Sequence, residues 1–196
     1  MEKTARRKLI CGMDEAGRGP LAGPVYAACV ILPEDFPAEF ARDSKKLSAR
    51  QRQQAEIVIK TKALAWGLGS ATPWEIDHLN ILQATFLAMK RAIQHLRTQF
   101  PLVPEFELWV DGNQVPPLEV TCHTLVKGDN LMKEIGAASI LAKTARDRYM
   151  MRWSWLEPQY QFEQHKGYGT QLHRRLIQQY GPGKLHRFSF LTKILP

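Results

Sequence analysis

Residues 24–32 (PVYAACVIL) form an almost uninterrupted apolar segment of strand length. A segment of this kind predicts a β-strand that is buried on both faces. Another strand is predicted over residues 8–14 (KLICGMD), on the other side of the GRGP turn. Because predicted strands come first along the chain and predicted helices dominate its second half, an α/β or α+β sandwich is the economical architecture.

The periodicity of the remaining chain predicts three more strands and four main helices. The predicted strands cover 63–70, 105–111 and 120–126. The predicted helices run from Ser48 to Lys60, from Leu79 to about Leu96, from an Asp129 cap through Tyr149, and from Thr170 to Tyr180. We expect an α/β fold with a mixed central sheet in a single domain over 1–196, in which residues from about 150 form a helical, basic C-terminal extension.

The composition is that of an ordinary soluble protein. Of 196 residues, 44% are hydrophobic and 23% are charged, and no apolar run reaches membrane-spanning length. The three cysteines, Cys11, Cys29 and Cys122, are odd in number and lack CxxC spacing. They are therefore expected to be reduced thiols, and the protein is expected to be cytoplasmic.

The net charge of +8 is concentrated at the C-terminal end. Residues 143–196 contain ten Lys or Arg and three acids, whereas residues 1–142 contain seventeen bases and sixteen acids. A basic third beside a nearly neutral remainder favours a surface for a polyanion such as nucleic acid. A solvated basic face with no ligand explains the charge equally well.

Four acidic residues lie at the ends of predicted elements: Asp14, Glu15, Asp111 and Asp129. Side chains at such boundaries can converge on one edge of a sheet. Each also has a local explanation, because Asp111-Gly112 is typical of a hairpin turn and Asp129 of a plain helix cap. Asp14 and Glu15 can share one site only if the chain bends between them, since neighbouring strand residues point to opposite faces.

Converging carboxylates would repel one another unless a cation lay among them. An all-oxygen set without nearby His or Cys favours Mg²⁺ or Mn²⁺ over zinc. The reaction most often built on such a set is phosphodiester hydrolysis with two ions about 3.5–4 Å apart.

Lys45, Lys46 and Lys143 could hold a nucleic-acid backbone, although exposed lysines are often only solvated. His165 and His173 could transfer protons or be structural.

Six segments together resemble one enzyme family, bacterial ribonuclease HII. They are DEAGRGPLAGPVYAACVIL (14–32), DSKKLS (43–48), WEIDHLNILQATFLAM (74–89), VDGN (110–113), KGDNLMKEIGAASILAKTARDRYM (127–150) and QHKGYGT (164–170). The segments occur in the family's order along the whole chain. DEAGRGP combined with AASILAKTARDR and HKGYGT is the specific part of the resemblance.

The resemblance implies a ribonuclease H-like fold and a metal-dependent endoribonuclease. Its substrates would be RNA–DNA hybrids and duplex DNA with embedded ribonucleotides, cut on the 5′ side to leave 3′-hydroxyl and 5′-phosphate ends. It also implies a part in ribonucleotide excision repair, and we expect a monomer that does not bind membranes. The catalytic and metal-binding residues implied are Asp14, Glu15, Asp111 and Asp129. The residues implied to contact the ribonucleotide are Gly17, Arg18, Gly19 and Tyr168.

Two functions of other classes remain open from the sequence. A non-catalytic hybrid-binding protein could use the same basic surface, but it would need none of the four acids. A metal-dependent phosphohydrolase for small phosphoesters would need the acids but no basic C-terminal third. The related ribonuclease HIII carries an additional N-terminal domain, and only ten residues precede Cys11 here. Cleavage of a duplex with one ribonucleotide would separate these alternatives.

Overall fold

The computed structural model describes residues 8–41, 44, 47–192, 194 and 195. The predicted substrate lysines Lys45 and Lys46 lie outside the described residues. Within them, a five-stranded sheet is packed by helices on both faces, which confirms the expected ribonuclease H-like α/β architecture. No helix in the described ranges is both long and apolar enough to cross a membrane.

The sheet is mixed, with strand order β3-β2-β1-β4-β5. Its strands are β1 (Leu9–Ala16), β2 (Val25–Ile31), β3 (Ala65–Ala71), β4 (Phe106–Asp111) and β5 (Cys122–Leu125). The first three strands pair antiparallel, whereas β1 pairs parallel with β4 and β4 pairs parallel with β5. Because β1, β4 and β5 run in the same direction, their carboxyl ends meet at one edge of the sheet.

The helices lie between the strands and after them. They are α1 (Ala49–Lys62), α2 (Pro73–Leu79), α3 (Ile81–Gln99), α4 (Gly128–Leu131), α5 (Lys133–Leu156), α6 (Phe162–His165) and α7 (Gln171–Tyr180). Ser48 and Thr72 cap α1 and α2 with capping boxes. Asn80, with a φ of 67°, separates α2 from α3 and caps the latter, so the predicted helix from Leu79 begins two residues later.

The two faces of β2 explain its apolar sequence. On one face, Ala27 and Cys29 pack in a core with α3, and on the other, Ala28 and Val30 pack with α1 and α5. The helix α3 approaches β3 very closely, because a Cβ added at Gly69 would lie 2.1 Å from the carbonyl oxygen of Ala88. The predicted burial of β2 on both faces is therefore confirmed.

The prediction that Asp129 caps the long helix is wrong. Asp129 lies within the first turn of the short helix α4, and the residue that precedes α5 is Met132, which makes no side-chain cap. Met132, in an extended conformation, separates the two helices, and the Asp129 side chain is buried. The alternative of an Asp111-Gly112 hairpin is also wrong, since β4 and β5 are parallel.

The predicted helix before Tyr180 is confirmed as α7, with Thr170 as its N-cap and Gly181 at its end. After α7 the chain returns to the first turn of the protein. The backbone N–H of Arg187 donates to the Leu21 carbonyl at 2.9 Å, and that of Gly23 donates to the Leu185 carbonyl at 2.8 Å. The basic C-terminal portion is thus bound directly to the turn that follows β1.

Candidate active site

Three carboxylates meet at the shared carboxyl edge of the parallel strands. Asp14 lies near the end of β1, Asp111 ends β4, and Asp129 lies in α4, just after β5. One carboxylate oxygen from each lies within 4.8 Å of the others. Asp14 and Asp129 are buried and Asp111 is half-buried, so this acidic cluster opens to solvent on the Asp111 side.

Hydrogen bonds hold each carboxylate of the cluster in place. Asp111 Oδ1 accepts a 2.7 Å bond from the backbone N–H of Gly128, and Asp14 Oδ1 accepts a 2.7 Å bond from that of Glu15. Asp129 Oδ1 accepts a 2.9 Å bond from the side-chain amide of Asn130. The three oxygens therefore have fixed positions, as a metal site requires.

Burial raises the pKa of Asp14 well above its ordinary value, and the charges of Glu15 and Asp111 raise it further. A hydrogen bond from the Ser139 hydroxyl acts in the opposite direction. The Asp14 carboxylate is thus unfavourable without a compensating charge. An all-oxygen donor set with this excess of negative charge fits a hard divalent cation.

The structure places Glu15 beside the cluster rather than in it. Strand β1 continues to Ala16, so the bend expected between Asp14 and Glu15 comes only after both residues. Glu15 instead lines a cleft of about 210 Å³ together with Asp111 and Arg18. Its Oε1 accepts a 3.4 Å bond from the Arg18 guanidinium. Glu15 therefore faces the open side of the cluster.

Of the predicted substrate residues, Arg18 lines this cleft, and Gly17 and Gly19 are its neighbours in the chain. Gly17 has a φ of +98° and begins the turn after β1, and Arg18 and Gly19 are exposed. The loop that carries Tyr168 docks on the same turn, because the backbone N–H groups of Leu21 and Ala22 donate to the Gly167 carbonyl at 2.8 and 3.3 Å.

Tyr168 is 42% exposed. The Lys143 ammonium lies 5.7 Å from its ring centroid, and the Arg146 guanidinium lies 5.6 Å from it. Lys143 also forms a 2.8 Å ion pair with Asp147. The ring therefore presents an exposed aromatic surface in a positively charged setting.

The two histidines weighed as proton carriers are structural. His165 and His173 stack with ring centroids 4.2 Å apart, and His173 Nε2 lies 3.0 Å from His186 Nε2. Burial lowers the pKa of His173 to about 3 and that of His186 to about 4, with neighbouring histidines contributing to the lower pKa of each. All three residues are buried beside the loop that carries Tyr168.

Sequence reasoning missed three buried residues that support the site. Ser139 acts to lower the pKa of Asp14, and its hydroxyl lies 2.9 Å from that of Ser44. Arg146 and Arg187 are fully buried, and their guanidiniums donate to backbone carbonyls around the turn after β1. Ser139 and Arg146 lie in the segment 127–150 that carries part of the family resemblance, which is a signal that could have marked them, whereas Arg187 lies outside all six segments.

Comparison with known proteins finds relatives that match almost the whole chain. The family model described as Ribonuclease HII matches residues 11–193. The curated Ribonuclease HII of Bordetella pertussis is 53% identical over 182 residues, which are 93% of this chain and 88% of the relative.

Two solved structures share the fold. The ribonuclease H2 of Pyrococcus horikoshii aligns with a TM-score of 0.71 and 24% identity over 95% of this chain and 96% of its own. Bst-RNase HIII, solved in complex with Mn²⁺, aligns with a TM-score of 0.76 and 17% identity over 95% of this chain and 68% of its own.

Proposed function

The chain belongs to the ribonuclease HII family, and on that premise we propose that it cuts the RNA strand of RNA–DNA hybrids and nicks duplex DNA 5′ of an embedded ribonucleotide. Cleavage leaves 3′-hydroxyl and 5′-phosphate ends, and the reaction serves to remove ribonucleotides from DNA in the cytoplasm, with the protein acting as a monomer. The observation that carries the proposal is the cluster of Asp14, Asp111 and Asp129 beside the turn at Gly17.

The acidic cluster supports a metal-dependent hydrolysis. Asp14, Asp111 and Asp129 are suited to hold Mg²⁺ or Mn²⁺, with two ions during catalysis. Such ions lower the pKa of a bound water and stabilise the leaving oxygen of a phosphodiester. Glu15, on the cleft wall that it shares with Asp111, completes the proposed catalytic set.

The neighbouring turn supports recognition of ribose. A 2′-hydroxyl is the group that distinguishes RNA from DNA at a given nucleotide. Gly19 carries no side chain at an exposed position of the turn that borders the catalytic cleft, so a ribose can approach the backbone closely there, and Gly17 supplies the positive φ with which the turn begins. Tyr168, exposed on the loop that docks on this turn, can pack against a neighbouring sugar.

A basic cavity supports contact with the nucleic-acid backbone. It has a volume of about 630 Å³, lies between α1 and α5, and its lining includes Arg52, Lys143, Arg148 and Lys166. Asp147 is the one acid among the described residues that line it. We assign this basic cavity to phosphates of the duplex, with Lys45 and Lys46 as further expected contacts.

The decisive experiment uses a DNA duplex that carries one ribonucleotide. The purified protein is incubated with Mg²⁺ or Mn²⁺, and the positions and chemical ends of the products are mapped. We expect a single cut 5′ of the ribonucleotide, no cut in the all-DNA duplex, and cutting of an RNA–DNA hybrid. EDTA should abolish all cleavage.

Other outcomes would favour the other functions. Binding of the hybrid without cleavage at any metal concentration would indicate a non-catalytic hybrid-binding protein. Hydrolysis of a small phosphoester without cutting of either nucleic acid would indicate a phosphohydrolase. Either result would contradict the proposed function.

A further inference from the structure

Two buried arginines lie behind the turn that follows β1. Arg187 donates from Nε to the Gly23 carbonyl at 2.8 Å, from Nη1 to the Arg18 carbonyl at 2.9 Å, and from Nη2 to the Gly17 carbonyl at 2.6 Å. Its side chain has no exposed surface. All three donating nitrogens therefore hold one short stretch of backbone.

Arg146 holds the other half of the same turn. Its Nε donates to the Pro24 carbonyl at 3.0 Å and its Nη2 to the Ala22 carbonyl at 2.9 Å. A Cβ at Gly17 would lie 2.1 Å from Arg146 Nε, so glycine at this position leaves the space that the guanidinium occupies. Five carbonyls between residues 17 and 24 thus point inward at two guanidiniums.

Burying both guanidiniums carries a large desolvation cost. In the described part of the chain, neither guanidinium forms an ion pair with a carboxylate, and both are fully buried. Burial lowers the pKa of Arg187 to about 9, and the nearby charge of Arg146 contributes. The two positive charges are compensated mainly by the carbonyl dipoles of the turn.

The inward carbonyls determine where the adjacent N–H groups point. In a trans peptide the N–H is antiparallel to the C=O of the same unit. Because the carbonyls of Gly17 and Arg18 point at Arg187, the N–H groups of Arg18 and Gly19 point away from it. The turn is open to solvent here, since Arg18 and Gly19 are exposed and a Cβ at Gly19 would have no atom within 4 Å. A charge-assisted bond to each carbonyl also polarises its peptide unit and strengthens the outward donor.

We propose that Arg187 is a positioning residue for ribose recognition. By holding the carbonyls of Gly17 and Arg18, it aims the N–H groups of Arg18 and Gly19 at the 2′-hydroxyl of the bound ribonucleotide. This inference rests on the proposed function and adds to it the residue that presets the ribose-binding turn. The Arg187 side chain itself does not touch the substrate.

The surrounding contacts allow the guanidinium to be removed without releasing the C-terminal segment. The backbone of residues 185–187 pairs with that of residues 21–23. Beyond Arg187, the carboxylate of Asp77 accepts bonds from the backbone N–H groups of Phe188 and Ser189 at 2.9 and 3.0 Å. Asp77 is therefore a second anchor that can be tested by itself.

The test compares Arg187→Met with Asp77→Ala, which removes the second anchor but leaves the guanidinium. For each variant we would measure kcat/KM on the single-ribonucleotide duplex, the Kd for the all-DNA duplex, and thermal unfolding. Arg187→Met should lower kcat/KM about tenfold or more, as expected for one or two lost hydrogen bonds, without changing all-DNA binding. Asp77→Ala should keep kcat/KM within about threefold.

Arg187→Lys keeps the positive charge but loses the planar guanidinium with its several N–H donors, and it should give an intermediate kcat/KM. If Arg187→Met does not fold, the same measurements on Arg187→Lys decide whether Arg187 positions the ribose-binding turn. Unchanged kcat/KM, or an equal loss of all-DNA binding, would overturn the inference while leaving the proposed function intact. If the wild-type protein cut neither substrate, the proposed function itself would fail.

Discussion

Asp111 Oδ1 accepts a 2.7 Å hydrogen bond from the backbone N–H of Gly128. This bond joins the end of β4 to the helix α4, which carries Asp129, and so fixes the distance between two carboxylates that lie on separate elements. Among the described residues, no group donates to the other carboxylate oxygen of Asp111, so that oxygen can bind a cation. A substitution of Asp111 that keeps the hydrogen bond to Gly128 but removes the negative charge can therefore distinguish a structural role of Asp111 from a role in metal binding.

We expect Asp111→Asn to keep the fold and to lose cleavage. The amide oxygen can still accept the bond from Gly128, but it is a poor ligand for Mg²⁺. Since changes to groups that only support metal ligands cost about 10–100-fold, loss of a ligand should lower kcat/KM by more than about a hundredfold. Mn²⁺ binding by calorimetry should weaken in parallel. Asp35→Asn, the same change at an exposed position, is the control. Near-normal turnover of Asp111→Asn would show that Asp111 does not belong to the metal site.

The raised pKa of Asp14 predicts that its ionised carboxylate destabilises the metal-free protein. A group whose pKa is higher in the folded state binds more protons there, so stability falls as pH rises through that pKa. Asp14→Asn should therefore raise the melting temperature of the metal-free protein at pH 7.5, by about 2–4 °C for each kcal/mol relieved. The gain should disappear below the ordinary Asp pKa, about pH 4. A lower melting temperature for the variant at neutral pH in EDTA would contradict this prediction.

The buried histidines His165, His173 and His186 predict that the free energy of unfolding falls as the pH decreases, whereas Asp14 makes it fall as the pH rises. His173 and His186 have folded pKa values of about 3 and about 4, below the ordinary value of 6.5. The unfolded state therefore binds more protons below about pH 6.5, and stability should fall as pH decreases from there towards 4. A pKa that differs by one between the folded and unfolded states changes the free energy of unfolding by about 1.4 kcal/mol, so the full effect of one histidine is at most a few kcal/mol.

His173→Gln should reduce the slope of unfolding free energy against pH in this window. The comparison is made on slopes because the variant also changes packing around Phe162. His78→Gln, at an exposed position on α2, is the matched control. An unchanged slope in His173→Gln would show that other groups cause the acid sensitivity.

The architecture could be predicted because hydrophobic patterning fixes each element locally. The apolar run of β2 required two covered faces, and the parallel return of β4 beside β1 brings Asp14 and Asp111 to one edge. The role of Asp129 could not be read locally, because it depends on the turn at Met132 between two helices. A count of charges also could not reveal that Arg146 is buried against carbonyls rather than exposed to a polyanion.

The basic cavity predicts a local effect on salt-dependent binding. Arg148 is half-exposed at its rim and pairs with Glu56 at 2.5 Å. If the cavity holds a phosphate, Arg148→Ala should make the slope of log K against log salt shallower by up to about 0.9 for an all-DNA duplex. Arg97→Ala removes the same charge from α3, on the other face of the sheet, and should leave the slope unchanged. Equal slopes in all three proteins would place the phosphate contacts elsewhere.

Substitution of Arg174 and Arg175 tests whether the positive charge of the C-terminal portion contributes to duplex binding independently of the basic cavity. Both are exposed on α7, and Arg174 Nε donates to the Gly169 carbonyl at 3.0 Å, next to Tyr168. If this face also follows phosphates, the double change to Ala should flatten the salt slope by up to about 1.8. A slope equal to that of wild type would identify these arginines as solvated.

Tyr168 provides the clearest test of how the substrate is selected. Its exposed ring lies over Lys143 and Arg146, on the loop bound to the turn that contains Gly17. In a duplex with one ribonucleotide only one register places the ribose at the turn, whereas a continuous RNA strand offers many. Tyr168→Ala should therefore lower kcat/KM by about tenfold or more on the single-ribonucleotide duplex, the effect of one lost stacking contact, and by less on the hybrid.

Tyr168→Phe keeps the ring and should retain most activity on both substrates if the ring packs against a sugar. A loss in Tyr168→Phe as large as that in Tyr168→Ala would assign the effect to the hydroxyl instead. Metal affinity should be the same in both variants, because the acidic cluster is built from other elements. If Tyr168→Ala lost activity equally on both substrates with unchanged Mn²⁺ binding, Tyr168 would be a general positioning residue, and its part in selecting single ribonucleotides would be excluded.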